Sequence, residues 1–298
     1  MGRALAENFS SAREVFQEVD DALRQKLSKL MWEGPDSDLV LTENAQPAIM
    51  AASIAVVRVL ERETGLDFAS HARLVAGHSL GEYSALAAVG SFALADAARL
   101  LRTRGRAMQE AVPSDAGAMS ALIGIEIADA ESAAEEAMAQ GGVCVVANDN
   151  APGQVVISGT KETVLRAGEM AKSKGARRVI PLPVSAPFHC PLMEPAADKM
   201  RAALSDVTIR PPTVPIVSNV TATETDEPET IRRLLVEQVT SRVRWRESVH
   251  TFRDFGVAMT VEAGGNKVLT GMVRRIDPEL QTVSIDTPQD VEAFAKML

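Results

Sequence analysis

Ser79 is the residue of this chain best placed to act as a nucleophile. It is the centre of Gly77-His78-Ser79-Leu80-Gly81, a G-x-S-x-G pattern. An apolar run, Leu74-Val75-Ala76, leads into it, and a helix-like run from Glu82 to Val89 follows. A serine on such a strand-to-helix turn has its hydroxyl pushed out of the sheet, and the two flanking glycines let the backbone make the turn. The N–H groups at the start of the helix are free to meet a developing oxyanion. The chemistry implied is acyl transfer through a seryl ester. The opposing reading is a tight turn with an inert serine, and the strand before and helix after weigh against it.

A serine nucleophile needs a base. The four histidines are His71, His78, His189 and His250. His78 adjoins the serine, where an elbow turns the ring away. His71 lies in a polar stretch, and His250 lies among charged residues on a helix. His189 is in the rigid segment Ser185-Ala186-Pro187-Phe188-His189-Cys190-Pro191, on a return path between two parts of the chain. It is either a structural histidine or the base.

Helix periodicity supplies two further candidates. At about 100° per residue, Ala97, Leu101, Arg104 and Met108 share one stripe of a helix over 94–112. Arg99, Arg102 and Arg106 fall on the opposite, solvent face. Burying a guanidinium without an anion costs on the order of several kcal/mol, so Arg104 needs a carboxylate. Its partner is either an internal Asp or Glu, or a substrate carboxylate held bidentately. In a helix over 229–240, Ile231, Leu234, Leu235 and Gln238 share the inner stripe. Gln238 is either a hydrogen-bonded core residue or a group that orients the base, by side chain or by a free carbonyl.

Composition narrows the field. The chain has 298 residues, 46% of them hydrophobic and 4% aromatic, which suits helices packed on a parallel sheet. A net charge of -9 argues against nucleic acid and against anionic lipid. Cys144 and Cys190 are too few for a disulfide framework and lack metal-site spacing. No apolar run approaches the roughly 18 residues of a membrane span, and no signal peptide is visible, so the expected location is the cytoplasm. There is no metal-ligand cluster and no G-x-x-x-x-G-K-[ST] loop.

The elements that must position these residues alternate. Helices are expected over 3–30 and 45–63, with Pro47 in the first turn of the second. The elbow and the 94–112 helix follow. From 115 to 185 the order is β-α-β-β-α-β, with strands at 118–124, 143–147, 154–158 and 177–184 and a turn at 148–153. This reads as a ferredoxin-like small domain inserted in a larger α/β domain, residues 1–114 and 186–298. Beyond it, strands at 214–218, 257–261 and 282–285 alternate with helices. The expected fold is α/β, with a mostly parallel sheet and helices on both faces in a hydrolase-like core.

Several segments together resemble the malonyl-CoA–acyl carrier protein transacylase family of fatty-acid synthesis. They are Thr42-Glu43-Asn44-Ala45-Gln46-Pro47-Ala48, Gly77 to Tyr83, Arg104-Gly105-Arg106-Ala107-Met108-Gln109, Gln154 to Gly159 and Pro187-Phe188-His189-Cys190. Gln238 before Val243-Arg244-Trp245, and Glu262-Ala263-Gly264, add to the resemblance, which runs in family order over nearly the whole chain. It implies that Ser79 is the nucleophile and His189 its base and later its acid. The main-chain carbonyl of Gln238 would orient the ring, and Arg104 would hold the malonyl carboxylate. The Leu80 N–H would be an oxyanion donor, and the Phe188 ring would leave little room for a methyl branch on the malonyl group, a modest discrimination of about 1–3 kcal/mol. Malonyl-CoA and phosphopantetheinyl acyl carrier protein are then substrates of a ping-pong reaction, with no permanently bound cofactor and a monomeric enzyme.

Docking of an acidic carrier protein needs a basic patch, either Lys172, Lys174, Arg177 and Arg178, or Arg242, Arg244 and Arg246. The chain departs from the family in one respect. Members begin with an apolar strand ending in Pro-Gly-Gln-Gly-Ser-Gln, which no stretch here matches. The resemblance therefore implies a sheet short of one strand and an oxyanion hole short of one donor. Two other readings stand beside it: a serine thioesterase or esterase, and an impaired protein that binds CoA or acyl carrier protein. The first leaves Arg104 without a task. The second rests on the unmatched strand.

Overall fold

The structure is a computed structural model that describes residues 1–113 and 115–298; residue 114, the expected end of the first large-domain segment, lies outside them. Its main apolar core is built by the helices Ser10–Leu23, Thr42–Thr64, Leu94–Glu110 and Glu194–Ser205. Thr42–Thr64 buries Ala48, Ala51, Ala52 and Ala55, small residues that let neighbouring helices approach, and ends where Gly65 takes φ 70°. Gly105 permits the closest approach, because a Cβ there would meet Glu43 Cα at 2.5 Å and Thr42 O at 2.6 Å. That contact sets Gln46 beside Arg104.

The chain is α/β, but its strands are not mostly parallel. Among the described residues, parallel pairing is confined to Val75–Ala76 with Ile216–Val217, Met259–Ala263 with Gln281–Ile285, and a single bridge between Asn148 and Val243. The larger sheet is antiparallel and four-stranded, made of Gly117–Ile123, Cys144–Ala151, Gln154–Thr160 and Arg178–Pro181. In it Cys144–Ala151 and Arg178–Pro181 are the edges, and Gly117–Ile123 lies beside Arg178–Pro181. The helices Ile127–Met138 and Lys161–Ser173 pack on this sheet and complete a β-α-β-β-α-β order. Alternation in the larger domain implies parallel pairing, which holds at 75–76 and 259–263. The strands expected on either side of a turn at 148–153 do pair as an antiparallel hairpin, and their sheet makes the strands of the chain mostly antiparallel.

Other boundaries also moved. The expected helix over 3–30 is three helices, Arg3–Asn8, Ser10–Leu23 and Leu27–Glu33. Phe9 is extended, and Arg24 is left-handed at φ 50°. Asp20 explains the second break: its carboxylate accepts from the Ser28 N–H at 2.8 Å and the Ser28 hydroxyl at 2.7 Å, folding the chain back. Thr42–Thr64 starts earlier than expected, so Pro47 lies inside it and not in its first turn. The turn expected at 148–153 is narrower, because Asn148 to Ala151 belong to a strand. The helix Glu194–Ser205 was not expected, although its buried Ala196, Ala197, Met200 and Leu204 show helical spacing. The expected polar loop at 221–228 includes a short strand, Glu224–Thr225, antiparallel to Ile216–Val217.

The antiparallel sheet is tied to the rest of the molecule beside Gln238. Val243 N–H donates to Ala147 O at 2.8 Å, and Asp149 N–H donates to Val243 O at 3.0 Å. These bonds hold the stretch after Gln238 along the edge strand. Among the described residues, no helix is long and apolar enough to cross a membrane.

Candidate active site

Ser79 stands between the strand Val75–Ala76 and the helix Gly81–Ala88. Its φ is 53°, a left-handed conformation that a non-glycine residue adopts only when its surroundings enforce it. Two features enforce it. A Cβ on Gly77 would meet Gly81 C and O at 2.0 Å, so only glycine fits there. The flanking glycines are not equivalent, as the sequence reading had them: a Cβ on Gly81 would meet nothing within 4 Å. The second feature is Asn219, fully buried after the strand Ile216–Val217. Its Oδ1 accepts from the Ser79 N–H at 2.7 Å, and its Nδ2 donates to Gly77 O at 2.8 Å. The side chain thus staples both sides of the turn.

His189 reaches Ser79 from the other side of the cleft. Its Nε2 lies 2.8 Å from Ser79 Oγ, and its Nδ1 lies 2.9 Å from the main-chain oxygen of Gln238. A carbonyl can only accept, so Nδ1 carries the proton and Nε2 is left free to accept from the serine hydroxyl. His189 is itself left-handed, at φ 57°, and only 3% exposed. Pro187, two residues earlier, covers Gly117, where a Cβ would meet Pro187 Cγ at 2.4 Å. The other histidines lie elsewhere. His71 and His250 are exposed, and His78 turns its Nε2 to Asn150 Oδ1 at 2.8 Å, with its ring 5.7 Å from that of Trp245.

Arg104 is 1% exposed and points inward, as its stripe requires. Its Nη1 donates to Gln46 Oε1 at 2.8 Å, and its Nη2 donates to Gln238 Oε1 at 2.8 Å and to Ser79 Oγ at 3.0 Å. The guanidinium carbon lies 5.8 Å from the centre of the Tyr83 ring. Among the described residues no carboxylate pairs with it directly, although Glu82 is close enough to raise its proton affinity. A cation is therefore held beside Ser79 by neutral oxygens. This arrangement leaves it able to receive an anion.

Gln238 is fully buried and caps the helix Pro228–Glu237. Its carbonyl meets His189, as the main-chain reading expects, whereas its side-chain amide meets Arg104, Ser79 O and Glu82 and not the imidazole. The Leu80 N–H enters no hydrogen bond with the described residues and lies beside Ser79. Phe188 is half-buried against Met119 and Val156.

Burial controls the charges. It pushes the His189 imidazole down to about 3, and the Arg104 guanidinium adds to the fall. The ring is thus neutral at pH 7, the state a base needs. Burial lowers Arg104 and raises Glu82 to about 7, where bonds from Gln238 and Asn219 and the field of Arg104 pull it back. The His189 shift carries a stability consequence. The unfolded ring titrates near 6.5, so the unfolded state takes up the proton first as pH falls. The stability tied to neutral His189 is complete above pH 6.5 and is lost towards pH 3, at about 1.4 kcal/mol per pH unit. Between pH 6.5 and 4.5, urea unfolding should show the wild type losing about 2–3 kcal/mol more than His189→Gln. Equal losses would refute this assignment.

The structure corrects two other expectations. Arg102 is not held by solvent: only 11% of its side chain is exposed, and it donates to Asn44 Oδ1 at 2.9 Å and Gln25 Oε1 at 2.6 Å. Of the two basic patches, Arg242, Arg244 and Arg246 are taken up by Glu131, Glu247 and Asp149. Lys172 and Lys174 pair with Glu169 and Glu136, while Arg177 and Arg178 are exposed and make no ion pair with the described residues. Sequence reasoning missed Asn219, Glu82 and the contact role of Gln46. Glu82 could have been found, because a carboxylate one residue beyond the elbow faces inward on the first turn of its helix.

The acyl transferase domain family matches residues 1–281. A malonyl CoA-acyl carrier protein transacylase of Bacillus subtilis is 42% identical over all of this chain and 92% of its own length. Its counterpart from Escherichia coli is 44% identical over 98% of this chain and 93% of its own. The crystal structure of an acyl-carrier-protein-S-malonyltransferase from Bartonella henselae superposes with a TM-score of 0.97 at 50% identity, covering 100% of this chain and 94% of that one. A malonyl-transacylase solved in complex with its type II PKS acyl-carrier protein gives 0.96 at 40% identity, over 100% of this chain and 95% of that one. A nucleophile elbow, its imidazole and a buried arginine converge in a chain so similar throughout to these enzymes; the chain belongs to the malonyl-CoA–acyl carrier protein transacylases of the acyl transferase family.

Proposed function

We propose that this enzyme moves a malonyl group from malonyl-CoA to the phosphopantetheine thiol of acyl carrier protein through an ester on Ser79. The observation that carries the reading is the double contact of Ser79 Oγ, with His189 Nε2 at 2.8 Å and Arg104 Nη2 at 3.0 Å. A base and a carboxylate receptor meet at one nucleophile. A simple esterase has no use for the second.

In the first half-reaction Ser79 Oγ attacks the thioester carbonyl while His189 Nε2 takes its proton. The Leu80 N–H meets the negative oxygen that forms. The tetrahedral species collapses, the carbon–sulfur bond breaks, and His189 returns the proton to the CoA thiolate. In the second half the carrier-protein thiol loses its proton to His189 and attacks the seryl ester. Ser79 Oγ then leaves with that proton. Throughout, the Gln238 carbonyl keeps the Nδ1–H tautomer. Arg104 holds the free carboxylate, which fixes the thioester carbon over the serine.

Phe188 narrows the acyl pocket against a methyl branch, an effect worth about 1–3 kcal/mol. Residues 1–114 and 186–298 are read as the catalytic domain, and 115–185 as a ferredoxin-like insert whose first strand supports the Pro187-to-His189 segment.

The test is incubation with malonyl-CoA followed by intact mass and then by carrier protein. A malonyl adduct on Ser79 that passes to the carrier thiol is expected. Release of free malonate without transfer would favour a hydrolase, and CoA binding with no adduct would favour a binding protein.

A further inference from the structure

Glu82 has no part in the steps above, yet it is 2% exposed and directly behind them. It lies on the first turn of the elbow helix, where a negative charge suits the helix N-terminus. Both its oxygens accept: Oε1 from the Asn219 main-chain N–H at 3.1 Å, and Oε2 from the Gln238 amide. Two donors pointing at the two oxygens favour the carboxylate, against the burial that favours the acid. Gln238 then continues the chain. Its Nε2 points to Glu82 and to Ser79 O at 2.9 Å, which leaves its Oε1 for Arg104 Nη2 at 2.8 Å. The order is carboxylate, amide, guanidinium.

We propose that Glu82 is a positioning residue that sets the orientation of the Gln238 amide and, through it, aims Arg104 at the substrate carboxylate. The inference rests on the malonyl-transfer reading above. The amide between them matters. A carboxylate touching Arg104 would fill the guanidinium fork and compete with substrate. One amide away, it supplies the counter-charge that a buried guanidinium requires and leaves the Nη2 face towards Ser79 free to exchange partners. The same carboxylate also fixes Asn219, so the elbow and the receptor share one anchor.

Glu82→Gln tests this by geometry. The Asn219 main-chain N–H cannot turn, so it keeps the new side-chain oxygen. The new NH2 then faces Gln238, whose amide must flip to accept. The flip presents an N–H2 to Arg104, donor against donor, and displaces the guanidinium.

The experiment measures acylation by malonyl-CoA and acetyl-CoA, with thermal unfolding alongside. Expected for Glu82→Gln is a rise in KM for malonyl-CoA of about tenfold or more, while kcat/KM for acetyl-CoA stays within about threefold. An equal fall for both substrates, or an unchanged KM for malonyl-CoA, would overturn the proposal.

Should the single variant fail to fold, the exchange Glu82→Gln with Gln238→Glu restores the donor–acceptor pairing between the two side chains, at the expense of the bond to Ser79 O, and sets the carboxylate on Arg104. It should fold and still discriminate poorly in favour of malonyl-CoA, and wild-type discrimination would overturn the proposal. The wild type, run in parallel, separates the two levels. If it forms no malonyl ester, the transfer reading falls and this inference with it. If it does while Glu82→Gln matches it, only the inference falls.

Discussion

His189→Ala should slow acylation of Ser79 by malonyl-CoA about 10³- to 10⁴-fold, with the overall fold retained. The expected size is the upper range for a positioned general base. The variant leaves Ser79 Oγ beside Arg104 Nη2 only, and a guanidinium cannot accept a proton. It also removes the donor that faces the Gln238 carbonyl. The serine would have to ionise into water from a site where His189 now receives the proton at 2.8 Å. Single-turnover measurement of the malonyl ester is the direct readout, since it isolates the acylation step from transfer. A loss of less than about tenfold would remove His189 from the proton path.

Arg104→Ala should separate two substrates that the His189 variant treats alike. Acylation by malonyl-CoA should fall about 10²- to 10³-fold in kcat/KM, as expected when a bidentate, charge-assisted contact is lost. Acylation by acetyl-CoA, which offers no carboxylate, should change by less than about tenfold. Some loss of stability should accompany both, because Glu82, raised to about 7 by burial, then loses the guanidinium that pulls it back and must be buried either unpaired or protonated against two donors. Since that loss is common to both substrates, the ratio of the two rates is the diagnostic quantity. Equal losses would end the carboxylate-receptor role.

The site was partly legible before any coordinates. Ser79 was visible from a local pattern, because an elbow is made by residues adjacent in sequence. Arg104 and Gln238 were visible from periodicity, because each helix buries one stripe and a polar residue on it must have a reason to be there. The same rule failed for Arg102. It lies on the outer face of Leu94–Glu110, but the N-terminal helices fold over that face and bring Gln25 and Asn44 to it. Periodicity says which way a side chain points and does not say what another segment lays over it.

The strand pairing was legible only in part. Alternating strands and helices in the larger domain imply a parallel sheet, yet its parallel pairs are short and separate, Ile216–Val217 also pairs antiparallel with Glu224–Thr225, and the larger sheet is the antiparallel one between 117 and 181. A strand carries no mark of its partner's direction when both faces are covered. The break at Arg24 was hidden for a related reason. It depends on the Asp20–Ser28 contact, which no apolar spacing reveals.

By itself, the sequence determined the elbow at Ser79, the apolar stripes that turn Arg104 and Gln238 inward, and, through motifs spread along the whole chain, the family. These properties belong to one segment at a time, and local backbone preferences and burial periodicity suffice for them. Only the tertiary structure decided how the segments meet. It brought His189 to Ser79 across 110 residues and Gln238 to Glu82 across 156. It also gave Arg104 neutral neighbours in place of a carboxylate. Hydrogen bonds are directional and act over about 3 Å, so which donor faces which acceptor is settled only when the helices and the elbow have packed.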